Sequence, residues 1–545
     1  MKRLGFLLSV MTLLLVMFTV SASAVTNGVV KTGLYYGSNA LYSANAQIAD
    51  GTGDGFRFGY YDEDRRFVEL GYTEETSISV TGDGNIAYSG GEISSSGSSI
   101  LGGWHVQLAE SYRDFDEAQR QAERQDGGYV ACLDGTYYVR TGCYSSASDA
   151  EDAAWELGGE AVGPSSTGVT VTRRGSQTIL FQFDYSGWYH FAVEADGAGQ
   201  AAQTWFKNRK YYGGFEYPRV SGGALSVISV TELEDYVKCV VPYEMSNSWH
   251  TEALKAQAVC ARTYVMRVGE RHSSYGFDVC ANEHCQAYYG VDYQYKGHTD
   301  NADAAVDATA GLCMRYNGAY VYAVYSASNG GASEDVKYIW GSDYPYLKGK
   351  EDPYESSISS SISGYHYTVS YTAASLGSRM ASRYSGYKLG TLAQVYVSRF
   401  TPNGNVYEVT FVDTAGKTYT VSGETCRLAL GTRSQRFTIN GGETGSSLYV
   451  NRNETISSAT GSYVISGGGE RSTLNGTPYV ITADGVSELD STTASGGDIS
   501  GGIVIEGTGN GHNVGMSQWG AYAMAKQGYD FYDILEFYFT GISIG

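Results

Sequence analysis

Two groups of chemistry-bearing residues stand near the middle of the chain. The first is a single carboxylate, Glu244, between Pro242 and Trp249. Pro242 stops a helix that runs through Asp235-Tyr236-Val237-Lys238-Cys239-Val240, so Tyr243-Glu244-Met245 is predicted to leave it as a turn or loop. A carboxyl held there among Val241, Met245 and Trp249 would lose solvation, and its pKa would rise toward that of a general acid at neutral pH. The bland alternative is a solvated surface glutamate. The second group is Cys280 and Cys285 with His272, and with His284 beside them. Two thiolates and one imidazole make an incomplete tetrahedral zinc set whose fourth position would be water or substrate. A Cys280–Cys285 disulfide is the alternative in an oxidising compartment.

These residues need helices to hold them. Thr231-Glu232-Leu233-Glu234 reads as a capping box with Thr231 at the N-cap. Leu254, Ala258, Ala261, Val265 and Val268 recur every three or four residues, predicting a second helix from about Glu252 with one apolar face. Lys255 and Arg262 lie two turns apart on it, on one side of the helix, either as a cationic clamp for a bound ligand or as an exposed basic face.

Elsewhere the texture is strand and turn. Runs such as Phe56-Arg57-Phe58-Gly59-Tyr60 predict strands over 28–99, and Ser94–Ser99 reads as a Gly/Ser linker. Residues 101–160 predict the order βαββα, with a hairpin at Asp134-Gly135 and a second helix capped by Ser148. Strands resume at 168 and lead into Leu225–Val230, and 440–500 reads as a Gly/Ser/Thr-rich loop inside the larger unit.

At 545 residues the chain has room for two or three domains. With 71 Gly against 7 Pro, the expected class is α+β, mixed and strand-rich. A formal charge of −21 with no basic block argues against a nucleic-acid partner. Lys2 and Arg3, an apolar run from Leu4 to Val20 and Ala22-Ser23-Ala24 predict a signal peptide over 1–24, or else an uncleaved anchor. No later stretch approaches membrane-spanning length, so a secreted or wall-associated protein is expected.

Five ordered blocks carry a resemblance. They are Leu233 to Met245 with Trp249; Glu252 to Tyr264; Cys285-Gln286-Ala287-Tyr288-Tyr289-Gly290; Tyr325-Ser326-Ala327-Ser328-Asn329-Gly330-Gly331; and Gly511-His512-Asn513-Val514-Gly515-Met516-Ser517-Gln518-Trp519-Gly520-Ala521. Together they closely resemble the stage II sporulation protein D (SpoIID/LytB) family, covering 28–99 and 168–545. The 101–160 segment resembles a SPOR (sporulation-related repeat) module, with half-repeats at Trp104-His105-Val106-Gln107-Leu108 and Tyr137-Tyr138-Val139-Arg140. The resemblance implies a lytic transglycosylase that cuts the β-1,4 bond between N-acetylmuramic acid and N-acetylglucosamine in peptide-stripped peptidoglycan, with Glu244 as the catalytic residue. It also places Tyr325, Ser326, Ser328, His512, Ser517 and Gln518 at the substrate. No cofactor is required, although some relatives carry metal near Cys280. The family also includes modifiers of cell-wall amidases, which makes an amidase a possible partner and a non-catalytic enhancer the alternative function. The chain departs from the family at Asn513, where Gly is commoner, and at Cys239 and Cys260, which are either buried small residues or an added disulfide.

Overall fold

Alternation of apolar and polar residues builds most of the chain into sheets, as in Ser43–Ile48, whose Ala44, Ala46 and Ile48 point inward. The computed structural model describes residues 25–440 and 502–545, except 91, 95, 98, 198–201, 270 and 292–298. Within 441–501 it describes Ile499 and the backbone of six short strands. The expected signal segment, 1–24, lies outside the described residues. Among those described, no helix is long and apolar enough to cross a membrane. The architecture is mixed α+β and strand-rich, as expected.

The chain divides into two units. One runs to Tyr243 and returns for Val265–His298; the other takes Glu244–Tyr264 and Thr299–Gly545. The expected segments 28–99 and 101–160 both lie in the first, and 168–545 contributes to both.

The first unit has a seven-stranded sheet in the order Val279–Cys280, Val29–Tyr35, Val227–Glu232, Gly214–Glu216, Ala192–Asp196, Gly55–Tyr61, Phe67–Thr73. Phe58 on this sheet stacks at 5.2 Å on Phe181, which belongs to a ten-stranded sheet. Four strands of that larger sheet come from the segment expected to be βαββα. They are Gly159–Val162, Trp104–Tyr112, Thr136–Tyr144 and Tyr129–Leu133, adjacent in that order. The element order is therefore βαββαβ. The fourth strand was not anticipated, being a four-residue edge strand with little alternation to betray it.

Asp134 and Gly135 both take positive φ, 47° and 79°, and make the predicted tight hairpin turn. Ser146, rather than Ser148, caps the second helix, accepting from the Asp149 N–H. Tyr129–Leu133 also pairs in parallel with Ile179–Asp184, so this module shares an uninterrupted hydrogen-bonded sheet with the rest of its unit. Ser94–Ser99 is not a simple linker. It runs from the end of one strand to the start of another in a three-stranded sheet around Ile86–Ser89.

In the second unit, the strands Arg436–Ile439 and Ile503–Thr508 are antiparallel neighbours. The insertion expected at 440–500 therefore starts and ends at one point of a sheet, which keeps its loop-closure cost low. Its described backbone forms three hairpins. The core beneath includes Leu376, Met380, Val395, Val409, Phe411, Leu430 and Ile505.

Candidate active site

The strand Val227–Glu232 runs directly into the helix Leu233–Lys238. Thr231 does not cap it: its hydroxyl lies in the strand, 3.1 Å from the Tyr288 hydroxyl, and Glu232 stands at the N-cap with no side-chain bond. After the helix ends, a single turn, Val241–Glu244, forms with Pro242 as its second residue. At a helix start the missing proline N–H costs nothing, so Pro242 opens this turn. Glu244 is therefore its last residue rather than part of a loop.

Glu244 is half-buried, and its Oε2 accepts from Gln518 Nε2 at 3.3 Å. The same amide group lies 3.3 Å from Gln257 Oε1, on the fully buried face of the helix Thr251–Val268. Gln518 begins the helix Gln518–Lys526, capped by Ser517, whose hydroxyl accepts from the Gly520 N–H. Beside it, Trp249 packs 4.6 Å from Trp519 and stacks at 4.8 Å on Tyr522, and all three rings are partly exposed. Such an aromatic surface suits the apolar face of a sugar. Sequence reasoning passed over Trp519 and Tyr522, because nothing in a single chain distinguishes a stacking aromatic from a core one.

The Tyr325 and Gly511 blocks do come together. Tyr325–Ser326 pairs in parallel with Met516–Ser517. The fully buried Glu355 ties them: it accepts from the Ser328 hydroxyl at 2.6 Å, the Asn329 N–H at 3.0 Å, the Gly330 N–H at 2.8 Å and the Ser517 hydroxyl. Burial pushes its pKa up against these bonds. Asp352 caps Glu355's own helix and accepts from Asn329 Nδ2 at 2.7 Å and the Tyr538 hydroxyl at 2.6 Å. Ser328 and Ser517, each 1% exposed, thus give their hydroxyls to a buried carboxylate rather than to a ligand, and Ser326 is buried as well. Asp352-Pro353-Tyr354-Glu355 is legible as a helix start, but nothing in it announces this hub.

His512 is also turned inward. Its Nδ1 accepts from the Val514 N–H at 3.1 Å, its ring sits 4.9 Å from Trp340, and burial lowers its pKa to about 4. It is a neutral imidazole at pH 7. Asn513 accounts for the family departure: it adopts φ 64°, which asparagine tolerates, and its Nδ2 donates to the Asn329 carbonyl at 2.6 Å. Gly515 admits no side chain, since a Cβ there would lie 2.1 Å from the Val324 carbonyl oxygen.

The Thr251–Val268 helix is buried on every residue from Ala256 to Val265, not on one stripe. Arg262 is consequently neither a sugar clamp nor part of an exposed basic face. It is 0% exposed, and its guanidinium donates to the Leu312 carbonyl at 3.1 Å. Lys255, nearer the helix start, pairs with Glu252 at 2.7 Å. Cys239 and Cys260 are buried free thiols, the first of the two alternatives.

In the first unit, ligand atoms of His272, Cys280, His284 and Cys285 all lie within 4.8 Å of one another. Cys285 Sγ is 3.4 Å from His272 Nε2 and 3.7 Å from His284 Nδ1, and Cys280 Sγ is 3.6 Å from His284 Nδ1. These spacings match the edges of a tetrahedron with ~2.0–2.3 Å metal–ligand bonds. His284 stands close enough to occupy the fourth position that the sequence reading left to water or substrate. Both cysteines are free thiols, and hydrogen bonds, first from Cys285 and then from His284, draw the Cys280 pKa down.

Comparison with known proteins places this stretch of the chain. The family model described as Stage II sporulation protein matches residues 221–316, the stretch containing Glu244 and the thiol–imidazole cluster. Over that stretch the chain matches the SpoIID family, and proteins named stage II sporulation protein D are among its relatives. It is 28% identical over 319 residues to the amidase enhancer of Bacillus subtilis, covering 56% of this chain but only 40% of that protein. It is 27% identical over 326 residues to the stage II sporulation protein D of the same organism, covering 57% of this chain and 74% of that one. An uncharacterized protein of Brachyspira hyodysenteriae is 28% identical over 336 residues, covering 62% and 72%.

Proposed function

We propose that the chain is a secreted lytic transglycosylase acting on peptide-stripped peptidoglycan strands outside the cytoplasm. The observation that carries this is Glu244 at the end of a one-turn helix, half-buried and hydrogen-bonded by Gln518 beside an aromatic wall. Glu244 protonates the glycosidic oxygen as the C1–O4 bond breaks. The muramyl 6-hydroxyl then closes on C1, passing its proton to the same carboxylate, and a 1,6-anhydro end results.

Ordinary glycosidases need a second carboxylate to activate water or attack C1. Here the internal hydroxyl replaces it by proximity. Two other acids of the unit fit that single-carboxyl chemistry: Glu355 is fully buried under four donors, and Glu252 holds Lys255 and the Phe531 N–H. The test is Glu244→Gln on amidase-treated glycan, which loses cleavage by ~10²-fold or more while still binding. Equal cleavage by the variant would remove Glu244 from the chemistry.

His272, Cys280, His284 and Cys285 fit a structural zinc, all four positions being filled by protein. The zinc would brace the loop through four ligands drawn from 14 residues of chain. The SPOR-like module is assigned to glycan binding. The second reading, a non-catalytic enhancer of a wall amidase, is favoured by the similarity to the Bacillus amidase enhancer.

A further inference from the structure

A cavity of about 340 Å³ in the first unit has an unusual lining for so acidic a chain. Among the described residues, Lys207 and Arg209 enter it and no Asp or Glu does, although the protein carries −21 overall. Its volume is at the low end for small-ligand sites, ~300–1,000 Å³. Tyr35, Tyr36 and Tyr275 give it aromatic walls, and Asn39 and Asn282 add amide groups.

The cations are placed by structure. Gln203–Phe206 and Arg209–Tyr212 form a hairpin whose two turn residues, Lys207 and Asn208, take φ 49° and 63°. Such turns favour Asn and Gly at both positions, and a lysine in the first is held against its backbone preference. Lys207 Nζ lies 5.9 Å from the Tyr35 ring centre, and the Arg209 guanidinium is fixed 4.4 Å over Tyr289, where its planar fork is pre-oriented.

We infer that this pocket binds the carboxylate of an N-acetylated amino sugar, the charge between Lys207 and Arg209, the ring against tyrosine and the acetamide at the asparagines. The inference rests on the glycan reading above and adds a reason for its substrate preference. A peptide-free muramyl residue carries a free lactyl carboxylate, whereas a stem peptide converts that group to a neutral amide. The pocket therefore selects stripped strands by charge.

The test measures binding by the intact Glu244→Gln protein, which spares its ligands. The probes are a muramyl-containing tetrasaccharide with free lactyl carboxylates, its lactamide and its peptide-bearing form. The free acid is expected to bind ~10-fold or more tighter than the lactamide, and Lys207→Asn, which suits the turn, should bring that ratio close to one. Arg209→Gln should act in the same direction, with unchanged melting for both variants. Equal binding of acid and lactamide, or a ratio indifferent to Lys207→Asn, overturns the inference. So does a peptide-bearing form that binds as tightly as the free acid and is weakened by Lys207→Asn, since the recognised carboxylate would then be the peptide's. These readouts are independent of cleavage, so a protein that shows the charge preference but makes no anhydro ends would refute the lytic reading alone.

Discussion

Gln518 and Glu244, 274 positions apart, meet through a 3.3 Å hydrogen bond from the Gln518 side-chain amide to the carboxylate. The last family block thus orients the residue supplied by the first. Gln518→Leu removes that donor and leaves the aromatic wall in place. We expect kcat to fall about 10-fold with KM nearly unchanged, as for a positioning residue. An unchanged kcat would show that Glu244 is oriented by other groups.

Glu355 should matter to folding rather than to proton transfer. Glu355→Ala leaves two hydroxyls and two backbone N–H groups facing a buried void. The expected loss is about 3 kcal/mol or more, read by chemical denaturation. A loss below about 1 kcal/mol would mean that the two blocks are tied elsewhere.

The thiol–imidazole cluster predicts about one zinc per chain by elemental analysis, and a melting temperature that falls on chelation. Cys280→Ser and His284→Ala should each lower metal content. Metal-free protein with both thiols titratable would reject zinc at this site.

Stability should decline as pH falls from about 6.5 to 4 in proportion to two histidines, His105, which is buried, and His512, which is half-buried. Burial lowers the pKa of both His105 and His512 to about 4. Between that value and the ordinary histidine pKa of ~6.5, the unfolded chain binds protons that the folded one does not, so each group's contribution is present above that range and lost across it. Glu355 and Glu334, whose pKa values are raised, act in the opposite sense. The discriminating comparison is therefore His512→Asn with wild type, and the variant should show a flatter decline. His105 and His512 imidazole NMR signals that titrate near 6.5 in the folded protein would contradict the assignment.

Much of this arrangement could be read locally, because capping, alternation and turn chemistry act over a few residues. The Asp134-Gly135 turn and the Thr251–Val268 helix are of this kind. What escaped depends on distant partners. Arg262 reads as surface until Leu312 is placed against it, and Glu355 has no local motif for a hub whose donors come from 328–330 and 517. His284 stood beside the predicted ligands but entered the set only when the loop closed. The short strand Gly159–Val162 exists because Trp104–Tyr112 offers it an edge.

The central claim, that one carboxylate cuts the strand with the help of the substrate's own hydroxyl, is tested most directly by mass spectrometry of products from amidase-treated, peptide-free glycan. The purified protein should release fragments ending in 1,6-anhydromuramic acid, lighter by one water than hydrolysis products, and Glu244→Gln should release none above background. Reducing muramic ends would contradict the account by showing hydrolysis. Intact glycan together with faster peptide removal by an added amidase would contradict it in favour of the enhancer.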